Sequence, residues 1–352
     1  MSWVVCFTAL RNNGSLFLHI LVIKTSSLGD VIHTLPALTD ARQAIPGIRF
    51  DWVVEESFAE VPAWHAGVER VIPAAVRRWR KNPFKAVYSG EWGTFCRAIG
   101  CKKYDAVIDA QGLFKSAWLT RFSHGESWGM DKFCAREPLA SRFYQNRLNI
   151  DKAQHAVERV RQLFAEALGY PVPQGQGQYA IAASLSTRST GNYLVFLHGT
   201  TRADKHWPVI YWKELARHYS EQGTEILLPW GNETERLRAE HIAQNLSGVK
   251  ILPRSTLSEL ASIIGGARAV VSVDTGLAHL SAALDIPNIT LYGPTDPGLV
   301  GTYGKNQLHL CATGMEAVHT APSSVDPAIF APLTPKVAHQ ALDNLLAGSQ
   351  PS

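Results

Sequence analysis

Apolar and polar positions along this chain alternate between two patterns. Ile20-Leu21-Val22-Ile23 is a continuous apolar run, the mark of a strand buried on both faces of a parallel sheet. A turn of small residues follows (Thr25, Ser26, Ser27, Gly29), and Asp30 then opens a segment with Val31, Leu35, Leu38 and Ala41 at helical spacing. Run, turn and helix recur. Phe50–Val54, ahead of Glu55-Glu56, and Tyr104–Asp109, leading into Ala110-Gln111-Gly112-Leu113, read as further strands. Residues 113–122 and 152–168 carry helical spacing, and 57–72 reads as mixed helix and turn.

Pro171, Pro173 and an excess of Gln, Gly, Ser and Thr mark 171–192 as a linker, after which the pattern restarts. Strands are predicted at Leu194–His198, Glu225–Pro229, Val249–Leu252, Ala269–Asp274 and Asn288–Tyr292, with helices near 208–221, 233–246, 257–265 and 275–284. No sequence repeat relates the halves. Strands alternating with helices predict an α/β protein of two Rossmann-like domains, residues 19–170 and 193–334, facing across a cleft. Residues 335–352 form a final helix and tail, and 1–18 are expected to be a poorly ordered extension. In such folds ligands lie at the carboxyl ends of the strands.

At 352 residues and 46% hydrophobic, the chain can bury two sizeable cores. No run of 18 apolar residues occurs, and 1–18 lack the features of a signal peptide. The 5 cysteines show neither metal-ligand spacing nor a disulfide framework, which suits a reducing cytosol. The histidines show no H-x-x-x-H pattern, so no protein-bound metal or cofactor is expected. Net charge is a mild +4, but it is uneven. Arg77, Arg78, Arg80, Lys81, Lys85, Arg97, Lys102 and Lys103 face one acid, Glu91, over a single stretch. Such a patch suits an anionic partner. No nucleic-acid-binding motif accompanies it.

Strand ends carry the candidate chemistry. Asp30 suits either an N-cap or a general base, and His33 lies three residues further on. Arg77-Arg78-Trp79-Arg80-Lys81 reads either as a solvated charged face or, since Trp79 and Pro83 break a regular surface helix, as an ordered anion-binding loop. Arg136 either joins it or pairs with Glu137. In the second half, Thr200, Thr201 and Lys205 precede Pro208 in what reads as a phosphate-gripping loop or a plain turn. Thr275 and Gly276 can offer N–H groups at a helix N-terminus to a pyrophosphate. Asp274 is left between capping and holding a loop, and His279 between ligand contact and core. Glu235, after Pro229-Trp230-Gly231, is placed to meet ribose hydroxyls or simply to start a helix.

Lys24–Leu38, Arg77–Arg80, Tyr104–Gly112, Asp204–Pro208, Ser272–His279 and Tyr292–Gly298, in that order over about residues 19–310, resemble the lipopolysaccharide heptosyltransferases of glycosyltransferase family 9, in their type I rather than type II form. The resemblance implies the glycosyltransferase B fold. It also implies inverting, metal-independent transfer from ADP-L-glycero-β-D-manno-heptose to the 5-hydroxyl of the inner Kdo of Kdo2-lipid A. The enzyme would then lie peripherally on the cytosolic face of the bacterial inner membrane. By matched position Asp30 is the general base, and Arg77, Arg78, Arg80 and Arg136 hold acceptor anions. Thr200, Thr201, Lys205, Asp274, Thr275, Gly276 and His279 surround the ADP-sugar, and Glu235 the ribose. The alternatives are another nucleotide-sugar enzyme of this fold, either a different heptosyltransferase or an epimerase, or a non-catalytic nucleotide or glycolipid binder.

Overall fold

A computed structural model describes residues 18–181, 191–314 and 327–348. The chain divides into two compact units, one ending at Ile181 and the other beginning at Ala182. Each holds a six-stranded sheet with helices between its strands. In the first, β1 (His19–Ile23), β2 (Arg49–Glu55), β3 (Val68–Ala74), β4 (Ala106–Asp109), β5 (Ser127–Met130) and β6 (Asn146–Leu148) lie in the order β3-β2-β1-β4-β5-β6. The second runs β12-β11-β10-β7-β8-β9, from β7 (Tyr193–Leu197), β8 (Glu225–Leu228), β9 (Val249–Ile251), β10 (Ala269–Val273), β11 (Asn288–Tyr292) and β12 (Gln307–Cys311). Every pairing is parallel.

The apolar runs lie where their composition puts them. Ile20–Ile23 is fully buried at the centre of its sheet, as are Val270, Val271 and Val273 in β10. Both sheets reverse strand order once, between β1 and β4 and between β7 and β10. Loops leaving such a pair diverge and open a crevice beyond the strand ends.

Several elements differ from expectation. The helix expected from Asp30 onward is two helices, Leu28–Ile32 and Leu35–Ala44. The stretch read as an anion-binding loop forms helices instead, Val76–Lys81 and Pro83–Tyr88, with only Asn82 between them. Trp79 does not disrupt the first. It turns inward, edge-on to Trp92 and Phe95. Val68–Ala74, within and just past the stretch read as helix and turn, is an edge strand, the sheet position that tolerates Pro73. Residues 171–181, expected within a linker, pack on the first unit. Buried Arg161 donates to the carbonyls of Pro173 and Gly175 (3.3 and 2.8 Å), and Ile181 is buried. The extension over 1–18, apart from Leu18, lies outside the described residues. The closing helix, Pro335–Gly348, packs on Val209–Glu221 and β11 of the second unit. Among the described residues no helix is long and apolar enough to cross a membrane.

Candidate active site

In the first unit the site is built on the loops that follow β1 and β4. Gln111 clamps them together, its side-chain oxygen accepting from the N–H groups of Thr25 and Ser26 (both 3.1 Å). Lys24 reaches across as well, donating from Nζ to the Ala110 carbonyl at 2.8 Å. Gly112 turns the second loop in the left-handed region (φ 68°), where a side chain would be strained. Its carbonyl accepts the Glu137 N–H at 3.0 Å, which brings 135–137 against the first loop. Arg136 therefore meets Asp30, 106 positions away in sequence, while Glu137 accepts the Phe114 N–H at 2.6 Å and does not pair with Arg136.

Asp30 occupies the third position of the helix Leu28–Ile32, not its N-cap, which is Ser27. Its Oδ2 accepts from the Ser27 N–H (2.9 Å) and hydroxyl (3.0 Å), the acidic half of a capping box. That does not exhaust the carboxylate. Oδ1 lies 3.4 Å from Arg136 Nη1 and 3.9 Å from Lys24 Nζ. Burial alone would raise the Asp30 pKa, but Lys24, then Arg136, then the Ser27 N–H outweigh it and hold the carboxyl well below the usual range. Asp30 is thus ionised at neutral pH. Burial acts in the opposite sense on Lys24 and lowers its ammonium pKa against the pull of Asp30.

More cations converge here than the sequence reading named. Lys115 Nζ donates to the Ser26 hydroxyl at 3.3 Å. Burial lowers its pKa, Glu55 opposes this, and Arg77 and Arg80 lower it further, which places both guanidinium groups within electrostatic reach of the β1 loop. Half-buried Arg159 feels both Arg136 and Asp30. Arg78 points elsewhere, its guanidinium held by Glu56 (3.1 Å) and Glu91 (2.6 Å). The buried His33 meets His155 edge-on, with ring centroids 5.3 Å apart. Lys24, a charge directly on the end of an apolar run, was visible in sequence. Lys115 and Arg159 carried no such mark.

The second unit repeats the construction at β7 and β10. Lys205 donates to Asp274 Oδ2 at 2.5 Å, and the Thr200 hydroxyl to the Asp274 carbonyl at 3.0 Å, so Asp274 holds a loop rather than capping. Thr275 is the N-cap of the helix Gly276–Ala283. The first N–H groups of a helix lack partners within it, and here they leave the end of β10 beside the lysine loop. Thr201 is exposed, and His279 is buried in that helix. Glu235 accepts from the Gly231 N–H (2.7 Å) and the Asn232 amide (2.8 Å) at the start of Glu233–Ala243. It also lies against Gly199, where a Cβ would come within 2.7 Å of its carboxyl carbon. A capping acid thereby stands next to the loop that leaves β7.

Tertiary packing also gathers histidines that the spacing rules kept apart. His218, His339 and Asp343 form one group close enough to share a cation, and His19, Asp51 and Glu69 another, both away from the residues above.

These two switch-point sites, one gathering cations around Asp30 and one setting Lys205 beside a helix N-terminus, can be set against known proteins. A model described as glycosyltransferase family 9 (heptosyltransferase) matches residues 92–325. The chain belongs to glycosyltransferase family 9. It is an enzyme that transfers a glycosyl group. It is 59% identical over 295 residues to lipopolysaccharide heptosyltransferase 1 of Escherichia coli K12, covering 83% of this chain and 92% of that one. Escherichia coli heptosyltransferase WaaC solved with ADP superposes with a TM-score of 0.85 at 54% identity, over 93% of this chain and 100% of the other. The same protein solved with ADP-2-deoxy-2-fluoro heptose gives 0.82 at 53%, over 93% and 99%. The architecture of two Rossmann-like domains is the glycosyltransferase B fold.

Proposed function

We propose that this enzyme transfers L-glycero-D-manno-heptose from ADP-heptose to the 5-hydroxyl of the inner Kdo of Kdo2-lipid A, with inversion and without a metal ion, in building the lipopolysaccharide inner core. The donor half of this reading is supported by the likeness to Escherichia coli WaaC solved with ADP and with ADP-2-deoxy-2-fluoro heptose. The acceptor half is supported chiefly by one observation, an ionised carboxylate flanked by Lys24 and Arg136, with Arg159 in electrostatic reach of it and Lys115 bonded to Ser26 of the same loop. Kdo carboxylates and lipid A phosphates are the anions such a cluster suits.

Asp30 Oδ2 is occupied by Ser27, so Oδ1 is the oxygen that takes the acceptor proton. The acceptor oxygen attacks the anomeric carbon from the face opposite the diphosphate, and the bond to ADP breaks. Lys205 and the N-terminus of Gly276–Ala283 receive the charge that grows on the departing diphosphate. An acceptor carboxylate that draws Arg136 away removes one cation from Asp30 and makes it a stronger base as the acceptor arrives. Thr200, Thr201, Asp274, Thr275, Gly276 and His279 line the ADP-sugar in this reading, with Glu235 at the ribose, while Arg78 joins the acceptor set only by leaving Glu56 and Glu91. A peripheral place on the cytosolic face of the inner membrane follows from the acceptor.

The test is ADP release from ADP-heptose and Kdo2-lipid A, with and without chelator. Release requiring both substrates and indifferent to chelator is expected. No release from this pair removes the reading, and release abolished by chelator removes the metal-free mechanism.

A further inference from the structure

The helix Pro83–Tyr88 sets Phe84, Val87 and Tyr88 at i, i+3 and i+4, the spacing that brings side chains onto one face. In a surface helix such a stripe normally turns to the core. Here it turns outward. The three are 79, 63 and 89% exposed, and only Ala86 of the helix is buried. Single exposed apolar residues are ordinary, whereas three large ones on a single face mark an interaction surface.

Charge identifies the partner. Lys85 lies within the stripe, and exposed Arg80 and Lys81 close the preceding helix. No acid occurs between Arg77 and Gly90. Glu91 is already held by Arg78 and by the Trp79 indole N–H. An apolar face bordered by cations, on a helix too short to span, is the chemistry of a segment lying in the headgroup region of an anionic bilayer. Tyr88 adds an aromatic ring with a polar tip, suited to that interface.

We propose that the segment from Arg80 to Tyr88 is a membrane-docking surface. Phe84, Val87 and Tyr88 enter the boundary between headgroups and acyl chains, and Arg80, Lys81 and Lys85 lie at the anionic surface. The proposal rests on the reading that the acceptor is membrane-borne and adds where the chain meets the membrane. Arg77 and Arg80, coupled to Lys115 beside the β1 loop, stand on the helix immediately before the stripe. The docking side chains thus follow directly on a helix whose Arg77 and Arg80 lie in electrostatic reach of Lys115.

The experiment is co-sedimentation of the full chain with vesicles of phosphatidylethanolamine and phosphatidylglycerol, free of acceptor, at low and high salt. The wild type is expected to bind these vesicles and to bind pure phosphatidylcholine weakly. The variant Phe84→Ser/Val87→Ser/Tyr88→Ser should partition at least roughly ten-fold less. Lys81→Ala/Lys85→Ala should lose about five-fold per cation at low salt and little at high salt. In parallel, ADP release is measured with a deacylated, water-soluble acceptor, and folding by circular dichroism. The triple variant should keep wild-type turnover there. Wild-type protein that ignores anionic vesicles, or a triple variant that binds them as well as wild type, overturns docking. So does a folded triple variant that fails with the soluble acceptor, since the stripe would then belong to the acceptor pocket. Absence of ADP release in every protein, wild type included, counts against the transfer reading and leaves the vesicle result to judge docking.

Discussion

Asp30→Asn separates the two tasks that the structure gives this carboxylate. The asparagine oxygen still accepts from Ser27 N–H, so the capping contact weakens without vanishing. Hydrogen bonds to a charged acceptor contribute ~1.5–3 kcal/mol and neutral ones ~0.5–1.5, a difference of about 1 kcal/mol. Buried Lys24 also loses its nearby carboxylate at 3.9 Å, whereas exposed Arg136 adds little. The total is ~1–2 kcal/mol, which lowers Tm by about 2–8 °C in a unit of this size. Loss of a general base is larger, 10²–10⁴-fold in kcat by a rough rule, or ~3–5 kcal/mol in barrier.

The sign with pH adds a control. A carboxyl depressed by folding stabilises the protein above its unfolded pKa, and that contribution fades as pH falls through the folded value. The Tm gap between wild type and Asp30→Asn should therefore close in acid. The assay is ADP release at saturating donor, with thermal unfolding from neutral to acid pH. A kcat within about three-fold of wild type alongside a lowered Tm would leave Asp30 a cap and refute its role as base.

Three further outcomes follow from other contacts. Lys205→Met removes the partner of Asp274 in a mostly buried pair, so stability should fall by ~2 kcal/mol and ADP affinity by about ten-fold or more by calorimetry. Adding Asp274→Asn should restore Tm but not ADP binding, and unchanged ADP affinity in the single variant would remove Lys205 from the donor site. Arg161→Met breaks the buried pair with Asp40 (2.6 Å) and frees the carbonyls of Pro173 and Gly175. It should cost ~3–5 kcal/mol and expose 171–181 to limited proteolysis, whereas an intact digestion pattern would contradict the anchoring role. Burial, then Arg42, lowers His65 to about 4, so the unfolded chain takes up a proton there that the folded chain refuses. Stability should fall by ~2 kcal/mol between pH 6.5 and 5 on this account, and a slope unchanged in His65→Asn would disprove it.

The sequence by itself determined the central strands and what stands at their ends. β1, β4, β7 and β10 are buried on both faces and are written as nearly continuous apolar runs, and the turn after each shows where the run stops. Asp30, Lys205 and Thr275-Gly276 were legible for that reason. Edges were not. β3, β6 and β12 are largely half-exposed and mix polar with apolar residues, so a neighbouring strand rather than a local pattern makes them strands. The partners of the charged groups were equally hidden. Arg136 reaches Asp30 only because Gly112 folds one loop onto another, and Arg78 turns to Glu56 and Glu91 although it is chemically identical to its neighbour Arg77. Burial is encoded locally, by how often an apolar side chain recurs. Coulombic partnership depends on distances across the fold, and those exist only once the chain has closed upon itself.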